Sequence, residues 1–528
     1  MDDIHDSLVL AIVSCRLSFN IVHREAFRRL LLKLQPRYTV PNTKQISQRL
    51  ASLSDMVDVH LKGELKTAVA VSFTTDGWTQ HNKHFLAISV HYITANAKLK
   101  DGLLPLVYVD TAHTGLTYVS HFKEKLASYI NSSVTPAIGG LVTDNAANMN
   151  AFGELAGVRW ISCACHTINL FLRDVIDLPE FNLAVDSIRK LVVTFRRSSK
   201  YMEELHKAQA NSLQPQATLP LDVETRWNSL YLMCDAAFKN KDHIDQALEA
   251  LQDEEKKPSG REWTAVSDLA RVLETFHNAT VRLSASRSVT ISLVVPFVKT
   301  FKETLSTRSV PSKPDSAGIK TLKTKLLAVF DSRFNKYLDP KSIHCVATIL
   351  DPETRLYCGA SETAIFDTME AMVIKLADRG SSTDATDQSD STITAPVPGD
   401  FPSKRRKVID VEFAGLAEAK LAKATASKMT IPEQVADYKK NSTRFPAITY
   451  WISRLSSWPE LATFALAVLS LPASEVPCER GFSWAGSFFT DNRNRMYPST
   501  LSNLMHVYAN HPELRKERHD QDVDQEPV

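Results

Sequence analysis

Two aspartates stand where a pair of carboxylates could hold metal ions. Asp76 follows a short apolar run, within Thr74–Thr79 (TTDGWT), and a glycine comes next where the chain is expected to turn. Asp144 follows a second apolar run, within Leu141–Met149 (LVTDNAANM), before an expected helix. Carboxylates at neighbouring strand ends can share divalent ions, as in many nucleases. Each block alone is ambiguous, because Asp-Gly is a common turn and the second acid could cap a helix.

A third acid, Glu479, lies in the block Ala473–Thr490 (ASEVPCERGFSWAGSFFT). Pro477 suits a first helical turn, and helical spacing places Glu479 on one face with Phe482. A carboxylate among apolar neighbours could have a chemical role. The alternative is a surface ion pair with an arginine such as Arg480, which contributes little stability.

The elements that must position these acids change type along the chain. Residues up to about 70 have the apolar spacing of helices, and from Val71 the spacing becomes that of strands. In one strand, Phe85 and Ala87 face one side, and Leu86, Ile88, Val90 and Tyr92 face the other. The expected strands are His84–Ile93, Leu103–Asp110, Ile138–Thr143 and Val158–Cys163, with a helix over Tyr118–Ile130. This order predicts an α/β fold with a mixed sheet.

Helical patterns dominate from about residue 165 to 380 and return over residues 446–510. Residues 380–400 are rich in Ser, Thr, Asp and Pro, and this composition predicts a flexible linker that forms no packed core. The basic cluster Lys404–Lys407 follows it. Three interpretations of this cluster are open: a nuclear import signal, a phosphate contact or a solvated surface patch.

The composition indicates a folded protein and argues against binding of DNA through bulk charge and against membrane association. The 528 residues are 44% hydrophobic and 23% charged, which is typical of a folded chain with several cores. The net charge of +2 gives no bulk field for nucleic acid, so DNA binding would need local patches. Seven dispersed cysteines favour a reducing compartment. The apolar run Leu8–Val13 is too short to span a bilayer, so we expect no membrane association.

Six blocks together resemble the hAT superfamily of cut-and-paste DNA transposases and the host proteins derived from them. The similarity extends from about residue 10 to 510, and the blocks occur in the family's order: TTDGWT, VTDNAANM, CACHTINL, DVETRWNS, ATILDP and LPASEVPCERGFSWAGSFFTDNRNRMYPSTL. The resemblance implies an RNase H-like core interrupted by a large helical insertion. It also implies that Asp76, Asp144 and Glu479 form an Asp-Asp-Glu site for a divalent metal, Mg or Mn.

Four further residues acquire DNA-binding roles from this resemblance. Trp78 and Trp227 match family tryptophans that stack on a flipped base, although either could be an ordinary core residue. Arg226 would contact a phosphate or a carboxylate. His166, in the family's Cys-x-x-His motif, would lie near the catalytic centre.

We expect no structural zinc. The sequence Cys163-Ala164-Cys165-His166 has no second ligand pair at the usual spacing. Residues 1–70 contain only Cys15, so the BED-type zinc finger common in the family is not present in them.

The resemblance and the patterns together predict seven segments. They are a helical N-terminal arm (1–70), the first part of the core (71–200), the helical insertion (201–379), a flexible linker (380–408), a helical connector (409–445), a dimerisation region that completes the core (446–510) and a tail (511–528). The expected function is DNA cleavage and strand transfer in the nucleus by a homodimer or higher homo-oligomer, without a small-molecule substrate. The alternative is an inactive, domesticated protein that dimerises and acts on chromatin or transcription.

Overall fold

A six-stranded mixed sheet organises one part of the molecule. The computed structural model describes residues 2–111, 114–130, 136–176, 179–223, 227–306, 315–381, 429–441 and 445–523. The strands are β1 (Ala70–Gln80), β2 (Lys83–Ile93), β3 (Leu99–Leu103), β4 (Val107–Val109), β5 (Ala137–Thr143) and β6 (Trp160–Ser162). Their order is β3-β2-β1-β5-β6, and β4 also pairs with β2. The pairs β1–β2, β2–β3 and β2–β4 are antiparallel, whereas β1–β5 and β5–β6 are parallel.

Helices precede, interrupt and follow the sheet. The first are α1 (Asp2–Ser14), α2 (Glu25–Leu34), α3 (Thr43–Thr67), α4 (Gly115–Tyr129) and α5 (Ala147–Leu155). The next are α6 (Ala164–Ile176), α7 (Pro179–Arg197), α8 (Ser199–Asn211), α9 (Trp227–Lys239), α10 (Lys241–Ala250), α11 (Gly260–Leu283), α12 (Val294–Ser306), α13 (Ala317–Leu338), α14 (Ile343–Leu350) and α15 (Glu362–Ser381). The last are α16 (Ile431–Lys440), α17 (Ala447–Arg454), α18 (Pro459–Leu469), α19 (Val476–Phe488), α20 (Pro498–Asn510) and α21 (Pro512–Val523). None of the described helices is long and apolar enough to cross a membrane.

The chain divides into two compact units. The first comprises Met1–Cys163, Ser284–Ser292 and Val346–Val528, and the second comprises Ala164–Leu283 and Leu293–Cys345. The helical unit therefore begins earlier and ends earlier than the predicted insertion at 201–379. Residues 1–70 are helical and belong to the first unit, where α1 and α3 pack with α20. Most of the predicted linker, 382–408, and residues 409–428 of the connector lie outside the described residues.

The sheet is covered on both faces by apolar side chains. Phe85 and Ala87 of β2 belong to a core with α1, α19 and α20, whereas Leu86 and Ile88 belong to a second core with α4 and α5. The predicted alternation in this strand is confirmed. The expected strand at 103–110 is wrong in extent, because β3 ends at Leu103 and β4 covers only three residues.

The first hairpin turns later than the sequence suggested. Gly77 lies inside β1, which continues to pair with β2 as far as Gln80 and Lys83. His81 and Asn82 make the turn with φ values of 48° and 58°. Two residues with positive φ suit the twist of a two-residue hairpin, which explains why the turn lies there. Asp76 is therefore a strand residue.

Candidate active site

Asp76 and Asp144 lie at the same edge of the sheet. The parallel pairing of β1 with β5 ends at Thr74 and Val142, and each aspartate follows its strand's last paired residue by two positions. Both residues line one cavity of about 300 Å³. Its other lining residues are Gly77, Trp78, Thr79, His84, Tyr118, Ala146, Asn148 and Met149. Strand register thus assembles two of the three predicted acids.

The charge on Asp76 is strongly disfavoured. Burial, followed by the carboxylates of Asp144 and Glu479, raises the pKa of Asp76 to about 7. The backbone N–H of Gly77 donates to Asp76 Oδ1 at 2.7 Å, which opposes this rise by stabilising the ionised form. Asp76 is therefore within electrostatic range of both other predicted acids.

Asp144 holds the connection between β5 and α5. Its Oδ1 accepts a hydrogen bond from the backbone N–H of Ala146 at 3.1 Å, which is the geometry of a local turn. The residue that caps α5 is Ala146, without a side-chain hydrogen bond, so Asp144 is not the helix cap that we considered. The Thr143 hydroxyl accepts from Trp160 Nε1 at 2.9 Å, which ties the end of β5 to β6.

Glu479 reaches the sheet on the first turn of α19. The neighbouring Cys478 is buried, and its Sγ lies 3.3 Å from Thr74 Oγ1 on β1 and 3.5 Å from Ser89 Oγ on β2. These contacts fix the start of α19 against the two strands. Glu479 itself is exposed and does not line the cavity that the aspartates share.

The carboxylates at this site are of the type that binds a hard divalent cation, but too few of them are grouped together to form a complete ligand set. Carboxylate oxygens are the ligands that Mg²⁺ and Mn²⁺ prefer. Asp76 and Asp144 supply such oxygens to one cavity. Across the described ranges, however, no three His, Cys, Asp or Glu side chains are grouped so that they could hold a metal ion. The assembled part of the site is the aspartate pair.

Trp78 belongs to an aromatic cluster beside this cavity. Its ring stacks on Phe482 of α19 with centroids 5.6 Å apart and planes 14° apart, and it also contacts Phe85 and Phe489. These contacts agree with the alternative that Trp78 is a core residue. Base stacking by Trp78 stays a prediction.

Of the remaining predicted DNA contacts, Trp227 and His166 belong to the second unit. Trp227 begins α9 and is 6% exposed, as a core tryptophan would be. His166 lies on α6 and is half-buried. Arg226 lies outside the described residues. The roles of these three residues in binding DNA stay predictions.

Sequence reasoning overlooked Glu475, which lies four residues before Glu479 at the start of α19. Glu475 is buried, and its Oε2 has no hydrogen-bond partner in the structure as described. Burial raises its pKa well above the ordinary value, although Cys163 hydrogen-bonds to it, and the charges of Glu479 and Asp76 raise it further. The available signal was the second acid at helical spacing in the SEVPCE sequence.

The large apolar side chains of α18 and of the end of α19 are buried within one chain. Leu461, Phe464, Val468 and Leu469 of α18 are all buried. Phe488 and Phe489 are buried as well. These residues therefore pack within the chain, and self-association through residues 446–510 stays a prediction.

Two family patterns match parts of the chain. Residues 161–272 match the ZBED1 RNase-like helical domain, and residues 429–510 match the hAT family C-terminal dimerisation region. The second match covers α16 to α20, including Glu479.

Three proteins illustrate the wider similarity. The chain is 25% identical to the Putative AC transposase of Zea mays, over 93% of this chain and 63% of that protein. It is 24% identical to Zinc finger BED domain-containing protein 4 of Homo sapiens, over 96% of this chain and 43% of that protein. It is also 24% identical to the Putative transcriptional regulator tpeD of Talaromyces stipitatus, over 95% and 61% respectively. The chain thus spans less than two thirds of the length of these relatives.

Proposed function

This chain is a relative of the hAT transposases and of the proteins derived from them, and on this premise we propose that it binds and cleaves DNA. The proposed core is RNase H-like, and the proposed catalytic residues are Asp76, Asp144 and Glu479. The proposed location is the nucleus.

The order of the strands supports an RNase H-like core. Three antiparallel strands, β3, β2 and β1, are followed by the parallel strands β5 and β6. The first acid lies on the central strand, and the second lies just beyond its parallel neighbour. This arrangement brings both acids to the edge where parallel strands end, which is where open α/β sheets bind their ligands.

One observation carries the catalytic proposal. Burial raises the pKa of Asp76 most, and the charges of Asp144 and Glu479 raise it further, although the three acids come from β1, the end of β5 and α19. Keeping three carboxylates in electrostatic range opposes stability unless a cation offsets their repulsion. The electrostatics therefore favour a site that holds a cation over a purely structural role.

A divalent cation would activate water and stabilise the leaving oxygen of a phosphodiester. Asp76 and Asp144 would hold it, and Glu479 would complete the ligand set. The Gly77 N–H orients the Asp76 carboxylate by its hydrogen bond to Oδ1. Because cation binding needs ionised ligands, the raised pKa of Asp76 makes binding weaken as the pH falls below about 7.

A nicking assay tests this proposal. Supercoiled plasmid is incubated with the full chain and Mn²⁺, and the variants are Asp76→Asn and Asp144→Asn. Loss of an essential ligand should lower nicking by at least about a hundredfold, because loss of a residue that only supports a metal ligand already costs about 10- to 100-fold. Asp55→Asn, at an exposed position on α3, is the matched control and should retain activity. Equal nicking by Asp144→Asn and the control would contradict the proposal.

The second candidate function is that of an inactive dimer acting on chromatin or transcription. The observation that favours it is the incomplete metal-ligand group in the described parts of the chain. The match to the dimerisation region supports self-association. An unmodified protein that sediments as a dimer and binds DNA but does not nick it with any divalent cation would support this second function.

A further inference from the structure

A second cavity in the first unit has more positive than negative side chains in its lining. Its volume is about 370 Å³, within the usual range for small-ligand pockets. Arg287, Arg480, Arg515 and Arg518 line it, together with Asp101 and Trp484. None of these residues lines the cavity shared by Asp76 and Asp144.

The four arginines come from separate segments of the chain. Arg480 lies on α19, at helical spacing from Trp484, and Arg515 and Arg518 lie on α21. Arg287 comes from Ser284–Ser292, the segment that belongs to the first unit although it lies between α11 and α12. Such convergence requires tertiary folding and does not follow from a local run of basic residues.

Three of the guanidinium groups are held in place by hydrogen bonds. Arg515 donates to the carbonyl oxygen of Asp101 at 2.6 Å and to its Oδ1 at 2.8 Å. Arg480 donates to the carbonyl oxygen of Ser284 at 2.7 Å. Arg518 donates to the carbonyl oxygen of Ala509 at 2.8 Å.

Arg518 also lies against two aromatic rings. Its guanidinium carbon is 4.9 Å from the ring centroid of Trp484 and 4.8 Å from that of Tyr508. These contacts stabilise a cation and fix the plane of the guanidinium group. The pocket is therefore pre-organised on this side.

Arg287 is held more loosely than the other three. Its Nε lies 3.7 Å from Asp101 Oδ1, which is beyond hydrogen-bond distance, and its side chain is 45% exposed. Its donors can therefore turn toward a ligand at little cost to the fold.

The pocket lining carries an excess of positive charge. Asp101 is the one acid among the lining residues, against four arginines. His91 lies behind it, and burial lowers the pKa of His91 to about 4, so its imidazole adds no charge at neutral pH. One carboxylate cannot offset four guanidinium groups, so the lining has a net charge of about +3.

We propose that this pocket binds phosphate, either as one doubly charged group or as two adjacent groups, such as those of pyrophosphate or two successive phosphodiesters of a DNA strand. Guanidinium forks match phosphate oxygens in pairs, and a cluster of several forks is the usual recognition device for phosphate. The phosphate comes either from a free small anion or from a DNA strand. The inference stands apart from DNA cleavage, because none of the pocket residues is among the three catalytic acids.

The first arm of the test measures pyrophosphate binding by the full chain. Calorimetry and thermal melting are run at constant ionic strength with EDTA, so that a failed metal site does not affect the result. Pyrophosphate should raise the melting temperature, and Arg287→Gln should weaken binding by about tenfold, as expected for one charge-assisted contact. Arg287→Lys should recover part of the affinity.

The second arm measures the affinity of a short DNA duplex at several salt concentrations. If a DNA phosphate occupies the pocket, Arg287→Gln should lower the salt slope by about one and pyrophosphate should displace the duplex. If a free anion is the ligand, DNA binding should not change while the first arm succeeds. Arg37→Gln removes a charge from an exposed position outside the pocket and serves as the control in both arms. Arg287→Gln behaving like Arg37→Gln in both arms would overturn the proposal.

Discussion

The aspartates and Glu479 reach the candidate active site by different structural routes. Asp76 and Asp144 are positioned by hydrogen bonding between β1 and β5, whose parallel register ends two residues before each acid. Glu479 is positioned by packing, because α19 rests on β1 and β2 through the buried side chain of Cys478. The two aspartates form the strand-borne half of the candidate site, which is fixed by the sheet itself. Glu479 forms the helix-borne half, which depends on contacts between distant parts of the chain.

This difference predicts that the two halves fail separately. A ladder of backbone hydrogen bonds keeps its register when one side chain is trimmed, whereas a helix held by side-chain packing shifts when a contact is lost. Changes at the helix–sheet contacts should therefore act on Glu479 before they act on the aspartate pair.

The largest effect is expected at Gly139 on β5, where α18 approaches the sheet. A Cβ at this position would lie 2.0 Å from the carbonyl oxygen of Ala467 and 2.4 Å from Ser72 Oγ. Since backbone atoms cannot move aside cheaply, Gly139→Val should destabilise the first unit by about 4 kcal/mol or more. Urea denaturation followed by circular dichroism would measure this loss.

Gly486 on α19 is the matched control for that substitution. A Cβ there would meet nothing within 4 Å, so Gly486→Ala should stabilise the helix by about 0.5 to 1 kcal/mol. If Gly139→Val unfolds at the same urea concentration as the unmodified protein, close packing of α18 on β5 does not contribute to the stability of the first unit.

A smaller loss is expected when the contact between Trp78 and α19 is removed. Phe482 is buried and stacks on Trp78, so Phe482→Ala should cost about 3 kcal/mol and alter tryptophan fluorescence. Phe445→Ala, at a side chain that is 52% exposed, should cost less than about 0.5 kcal/mol. Equal losses in the two variants would show that α19 is held by other contacts.

The sequence predicted the strand-borne half well because its signals are local. Alternation between two faces located β2, a short apolar run located β5, and an acid after each apolar run located Asp76 and Asp144. The turn at His81 and Asn82 was missed because neither residue is the glycine that usually marks positive φ. A glycine inside a strand pattern was taken for the turn instead.

The helix-borne half was less predictable because its determinants are tertiary. Helical spacing places Glu479 on α19, but only the fold shows that Glu475 is buried beside it and that Cys478 contacts two strands. The same limit applies to the apolar residues of α18. An apolar sequence requires burial, but it does not specify whether the covering surface belongs to the same chain.

The smallest expected effect is the change in folding stability with pH that Asp76 causes, compared with that caused by an ordinary surface acid. In the unfolded chain this carboxyl ionises near its ordinary value of 3.8, whereas in the folded protein burial and the two neighbouring acids raise its pKa to about 7. The folded state therefore binds more protons between these values, and stability falls as the pH rises from about 4 to 7.

Asp76→Asn removes this loss, because an amide does not ionise. A shift of about three units corresponds to about 4 kcal/mol, and partial exposure of the side chain reduces the expected gain to about 1 to 2 kcal/mol at pH 8. Below about pH 4 the variant and the unmodified protein should be equally stable. Thermal melts in EDTA would measure the difference, with Asp55→Asn as the reference for an exposed acid.

Adding Mn²⁺ should stabilise the unmodified protein and leave Asp76→Asn nearly unchanged, since a cation offsets the same repulsion that the amide removes. If the stability gained by Asp76→Asn does not depend on pH, Asp76 does not hold a proton in the folded state. The charge on Asp76 would then be no more disfavoured than that on a surface carboxylate.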